Sequence, residues 1–289
     1  MKYLLKALLI LISFFILSFL SKLNLKHDLH FVVDNLVELD SVFTSENYFV
    51  DSIFIDSIAP QIYVKNVSIG IKKLDVKQRK SLFIRMLLPN ILLSNEKIML
   101  ERNIILEFLE NDNLSNSEKE TLNKIANKYS GSADNLEELL QRVNIVPASL
   151  ALSQAIIESG WGTSRYAIEG NALFGHHVSK NDTSRFIESQ NSDVKMKAFD
   201  SILAAVEAYM HNINSTKSYT KLRVARADIT AKGDLLKGKK LSPYLINYSE
   251  RGTEYIKELN RMIRQQKLAR FDYVKLVDRD KTFITVKQY

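Results

Sequence analysis

A glutamate, a tryptophan and four glycines crowd into one short stretch of this 289-residue chain, AIIESGWGTSRYAIEGNALFG at residues 155–175. Glu158 closes an apolar run and is followed at once by Gly160, Trp161 and Gly162. The whole chain has only 9 glycines, yet Gly160, Gly162, Gly170 and Gly175 all fall here. Glycine belongs where the backbone needs a positive φ or a close approach, so this is where an unusual local geometry is being built. A carboxyl group in a partly dry cleft beside such a turn can do one thing well: hold a proton near neutral pH and hand it over.

The element that must carry Glu158 is a helix. Pro147 suits its first turn, Leu150, Ala151, Ala155, Ile156 and Ile157 supply an apolar surface, and Gly160 is a stop signal. Glu158 then sits at the helix C-terminus, where the macrodipole opposes a negative charge. Trp161 offers a low-dielectric wall. Both effects favour the protonated acid. Against this stands the plainer alternative of a solvated helix glutamate beside a core tryptophan.

The surrounding words decide between them. IESGWGTS at residues 157–164, followed by NALFG at residues 171–175, resembles the glucosaminidase family of peptidoglycan hydrolases, glycoside hydrolase family 73. Residues 79–106 (RKSLFIRMLLPNILLSNEKIMLERNIIL) resemble the helical pre-domain of that family's Bax-like branch, and residues 248–268 (YSERGTEYIKELNRMIRQQKL) its closing helix. The likeness covers about residues 75–272. It implies a mainly α member of the α+β class: a lysozyme-like helical domain with a small β-hairpin lobe, preceded by a helical pre-domain. It also implies that Tyr248 faces Glu158 across the cleft and that a second acid lies in the β lobe.

At the N-terminus, Lys2 and Lys6 precede an apolar run from Ala7 to Leu20, with Lys22 after it. This is the pattern of an export signal. With no clean small-residue cleavage site, residues 1–26 are expected to be either a cleaved signal peptide or an inner-membrane anchor. There are no cysteines, which excludes thiol catalysis and zinc–cysteine sites. The net charge of +7 and pI of about 9.3 suit acidic wall polymers or anionic surfaces. Lys and Arg are dispersed among acids, and no nucleic-acid partner is expected.

Residues 27–74 mix β-branched and polar residues with partial alternation over residues 48–58 and 61–71, fitting short strands and an extended spacer equally. Residues 75–130 read as the helical pre-domain, with Pro89 expected to kink or split its long helix and Ser115–Glu118 spelling a capping box. Residues 131–275 form the glucosaminidase domain and 276–289 a C-terminal tail. Within the domain, residues 185–189 and 194–199 can pair as a hairpin across residues 190–193. Residues 202–214 then read as a helix.

In the cleft, Glu158 is the general acid. Glu188 is the candidate for the second carboxylate, with Asp182 and Asp193 as competitors. A second acid is dispensable if the substrate's 2-acetamido group attacks its own anomeric carbon. Tyr248 hydrogen-bonds the acetamido group or the developing charge, or packs under the last helix. Trp161 stacks on a sugar face or packs in the core, and Asn171 and Phe174 shape the cleft floor as substrate-binding residues. His176 and His177 are adjacent, so their side chains diverge and make no metal site. No metal and no organic cofactor are expected. The reading is an exported, cell-envelope enzyme cleaving the β-1,4 bond after N-acetylglucosamine in peptidoglycan. Its rivals are a lytic transglycosylase or muramidase on the same fold, and a catalytically inactive, membrane-tethered wall-binding scaffold.

Overall fold

The computed structural model describes residues 28–111, 113–178, 183–190 and 193–288. The expected export segment and Asp182 lie outside these residues. Among those described, no helix is long and apolar enough to cross a membrane.

The two ends of the described chain meet in one small sheet. Strand β1 (Leu29–Val33) leads into helix α1 (Leu36–Ser45), whose Asn35 cap accepts from the Val37 and Glu38 amides. Helix α2 (Val50–Asp56), strand β2 (Ile58–Ala59) and strand β3 (Ile62–Val64) follow. The expected short strands are present at residues 58–59 and 62–64, whereas residues 50–56, read as strand-like, are helical, with Ile53 in the core shared with Leu36, Leu39 and Phe43 of α1.

Helix α3 (Val76–Leu109) starts at Asp75, whose carboxylate accepts from the Lys77 and Gln78 amides. Residues 82–94 are buried on every side, so the helix runs through the centre of the protein. Pro89 does not split it. The carbonyl of Arg85, which Pro89 cannot serve for lack of an N–H, accepts instead from the Tyr48 hydroxyl at 3.2 Å. The Arg85 guanidinium answers by donating to the Tyr48 carbonyl at 3.2 Å and to Asp40. A side chain delivered by the N-terminal segment thus repairs the break that the sequence predicts.

Helix α4 (Asn116–Lys128) begins with the expected Ser115–Glu118 capping box, and α5 (Leu136–Arg142) follows. Helix α6 (Ala148–Ser159) carries Glu158. Pro147 caps it without a side-chain hydrogen bond, and the distant Asp272 does that work. Its carboxylate accepts from the Ser149 amide and hydroxyl at 2.8 and 2.7 Å. Helix α7 (Arg165–Gly170) ends against the hairpin of β4 (Phe186–Glu188) and β5 (Lys195–Lys197), antiparallel in the register Phe186↔Lys197. A β-carbon on Gly170 would lie 2.7 Å from both Ala198 and Ile187, so only glycine lets the hairpin seat here.

Helices α8 (Ile202–Ser215), α9 (Thr220–Ala231), α10 (Gly238–Leu241) and α11 (Thr253–Gln265) complete the helical body. Strand β6 (Lys275–Leu276) pairs parallel with β2, and β7 (Thr282–Val286) lies between β1 and β3, parallel to both. The expected C-terminal tail is therefore the central strand of the sheet. One core joins Val33, Ile284 and Val286 of that sheet to Leu88, Leu152 and Val206 of α3, α6 and α8. The molecule is mainly helical with small sheets, the α+β class expected from the sequence.

Candidate active site

Glu158 is the penultimate residue of α6, and the turn after it is built from exceptions. Gly160 ends the helix in the left-handed region (φ 58°), and Trp161 (φ 61°) and Gly162 (φ 77°) continue there. Ser159 holds the turn, donating to the Ala155 carbonyl at 2.6 Å and accepting from the Gly162 amide at 2.9 Å. A β-carbon on Gly162 would stand 3.1 Å from both Ile71 and Phe83. The turn is thus pressed onto α3 and the N-terminal segment, which fixes the end of α6 and aims Glu158.

The Glu158 carboxyl is half-buried. The Tyr255 hydroxyl, from α11, lies close enough to act on its charge. A β-carbon on Gly175 (φ 66°) would meet Glu158 Oε2 at 3.2 Å, so the NALFG turn closes over the carboxyl with nothing but backbone. Tyr248 stacks on Tyr255 with centroids 5.6 Å apart, and its hydroxyl donates to the Phe174 carbonyl at 2.7 Å. Arg251 and Glu258 pair at 2.7 Å nearby, and both act on the charge of Glu158, as does the exposed His177.

Burial is the strongest influence on Glu158 and lifts its carboxyl above the usual carboxylate range. The Tyr255 hydroxyl pulls the other way, Glu258 adds to the lift, and Arg251 and His177 subtract from it. The phenols of Tyr248 and Tyr255 are held well above their ordinary value, first by burial, so both stay protonated donors. A proton-holding acid therefore sits beside a stacked pair of neutral, hydroxyl-bearing rings.

Residues 133–268 match the family model described as mannosyl-glycoprotein endo-beta-N-acetylglucosaminidase, and this stretch contains Glu158, Gly175, Tyr248 and Tyr255. The chain carries a glucosaminidase-family domain at residues 133–268. It is similar to protein Bax of Escherichia coli (strain K12), at 32% identity over 186 residues covering 61% of this chain and 66% of that protein. Solved structures similar to it include a C-terminally truncated glycoside hydrolase domain of Salmonella typhimurium FlgJ, at 19% identity and a TM-score of 0.33, covering 50% of this chain and 97% of that one. The catalytic domain of the autolysin Auto from Listeria monocytogenes is 18% identical at a TM-score of 0.33, covering 57% of this chain and 93% of that one.

Within this glucosaminidase domain, two expected substrate-binding residues prove to be internal supports. Asn171 is only 6% exposed, and its amide is used up on backbone: Oδ1 accepts from the Val67 amide and Nδ2 donates to the Phe199 carbonyl, both at 3.0 Å. Phe174 is 2% exposed and stacked on Tyr209 at 4.2 Å. Neither side chain can touch a sugar; they set the turn that carries Gly175. Trp161 turns its ring to α3, edge-on to Phe83 at 5.9 Å with the Lys80 ammonium 5.3 Å from its centroid, and keeps a partly exposed edge.

Glu188 stands exposed at the end of β4, with Asp193 across the same hairpin lining a shallow depression. No contact links either carboxylate to Glu158. His176 is half-buried with both ring nitrogens covered, edge-on to Phe199 at 5.9 Å, and burial lowers its pKa to about 4, so it is a neutral packing residue. Among the described residues, no cluster of three His, Cys, Asp or Glu is placed to hold a metal.

Sequence reasoning missed Tyr255, whose hydroxyl acts on the acid. The available signal was its position seven residues after Tyr248, at the start of an amphipathic helix. That spacing places two tyrosines near one another only once the turn at Gly252 is known.

Proposed function

We propose that this chain is a peptidoglycan hydrolase that cleaves the β-1,4 bond after N-acetylglucosamine, with Glu158 as general acid. The observation that carries this reading is the Glu158 carboxyl itself: half-buried, lifted by that burial, set beside the Tyr255 hydroxyl and roofed by the backbone of Gly175. In the reaction the Glu158 proton passes to the glycosidic oxygen as the bond from the anomeric carbon breaks. The carboxylate left behind is favoured by the Tyr255 hydroxyl.

The hydroxyl proton of Tyr248 is committed to the Phe174 carbonyl. Its oxygen therefore faces a substrate as an acceptor, suited to the N–H of a 2-acetamido group. That would orient the acetamido oxygen toward the anomeric carbon, where it forms a bond as the leaving oxygen departs and water later reopens the ring. Glu188 is the carboxylate the β lobe offers to this centre. Export to the cell envelope, through the basic and apolar residues 1–22, is part of the same proposal and brings the domain to its polymer.

The test is product analysis. Purified protein should release muropeptides ending in reducing N-acetylglucosamine. A 1,6-anhydro-muramyl end would identify a lytic transglycosylase instead, and a reducing N-acetylmuramic acid end a muramidase. Either result overturns the assignment.

A further inference from the structure

A buried chain of polar groups runs behind Glu158. The Tyr209 hydroxyl, in the core on α8, donates to Gln154 Oε1 at 2.6 Å, and Gln154 Nε2 donates to the Tyr255 hydroxyl at 3.2 Å. Tyr255 thus stands on the face of α6 where Glu158 follows Gln154 by one turn, and its hydroxyl acts on the Glu158 carboxyl. Gln154 is one turn before Glu158 on the same helix and fully buried, as are Tyr209 and Tyr255.

The direction of this chain is fixed by chemistry. An amide has a donor end and an acceptor end. The 2.6 Å contact is an O–H···O distance and the 3.2 Å contact suits N–H···O. Among the described residues the Tyr209 hydroxyl has no other acceptor, so turning the amide round would orphan a buried O–H. With Gln154 held this way, Tyr255 receives a hydrogen bond from behind and must donate forward.

We infer that Tyr209 and Gln154 fix the direction of the Tyr255 hydroxyl so that its proton points at Glu158, which makes Tyr255 a positioning residue for the acid. The inference deepens the proposed function and rests on it only for its catalytic meaning. Physically, the forward-pointing hydroxyl favours the carboxylate that remains once the proton has left, against the burial that favours the acid. The other groups facing Glu158 are Glu258 on α11, Arg251 and Tyr248 in the segment before it, and His177 after α7. Arg251 and Glu258 are bound to each other at 2.7 Å and act on Glu158 in opposite senses.

The experiment is a carbon-13 titration of the glutamate carboxyls in the full chain, with Glu158→Gln identifying the resonance of interest. Tyr255→Phe should raise the Glu158 midpoint by about one pH unit, the scale of one hydrogen bond to a charged group. Tyr209→Phe, which touches neither Glu158 nor Tyr255, should raise it by a smaller amount, because the freed amide can turn and draw the Tyr255 proton away. The alkaline limb of the kcat/KM profile on peptidoglycan should move in the same direction in both variants. A midpoint unchanged or lowered in Tyr255→Phe, or unchanged in Tyr209→Phe, overturns the relay. The variants are independent, so either one that folds by thermal unfolding decides the matter. Because the titration needs no substrate, an inactive wild type would count against the proposed function and leave the relay tested.

Discussion

Gly175 is the residue through which the NALFG motif meets the acid, and Gly175→Ala isolates that contact. Two costs follow. A β-carbon at φ 66° is strained by about 1–2 kcal/mol, a fall in Tm of roughly 2–8 °C for a protein of this size. The same β-carbon would stand 3.2 Å from Glu158 Oε2, so the carboxyl must give way by a few tenths of an ångström. If a 1 Å misplacement costs on the order of a hundredfold, a shift of this size costs about three- to tenfold in kcat/KM. Gly233→Ala is the matched control: its φ is 71°, yet an added β-carbon meets nothing within 4 Å. The two variants should lose similar stability, measured by thermal unfolding, while only Gly175→Ala loses turnover of purified peptidoglycan. Equal turnover in both would refute the claim that this glycine exists to let the backbone roof the acid.

Three further outcomes are expected. Tyr48→Phe leaves the Arg85 carbonyl without a donor beneath Pro89, costing about 1–3 kcal/mol in urea unfolding; adding Pro89→Ala should restore much of it by supplying the missing N–H, and no recovery would refute the repair. Glu158 is raised in the folded state, so the stability it contributes below the unfolded carboxylate value is lost as pH rises through the folded value; Glu158→Gln should therefore match the wild type in Tm at acid pH and exceed it above neutrality, and a lower Tm there would contradict the burial argument. Glu188→Gln should lower turnover far less than Glu158→Gln, since it stands exposed on the hairpin; equal losses would make it an essential partner.

Much of the site was legible because its signals are local. A helix stop at Gly160, an acid in the last turn before it and a short hairpin each follow from neighbours in sequence, and the structure bears them out. What escaped depends on distant partners. Pro89 reads as a break, and only a tyrosine 41 positions earlier removes the penalty. Residues 282–286 read as a tail because nothing local reveals two waiting strands some 220–250 residues upstream. Asn171 and Phe174 carry the family motif and so suggest contact with substrate, whereas their burial shows that a motif can mark the frame of a site. Tyr255 was hidden for the converse reason: its partner Gln154 lies 101 positions away, and a tyrosine on an amphipathic helix looks like ordinary core.

The central claim is that one carboxyl supplies the proton to the departing sugar, and the turnover of purified peptidoglycan by Glu158→Gln beside the wild type tests it most directly. The variant should fold normally and release fragments on the order of a hundredfold more slowly, the least expected on losing a general acid. Fragment release at the wild-type rate by a correctly folded Glu158→Gln protein would contradict it.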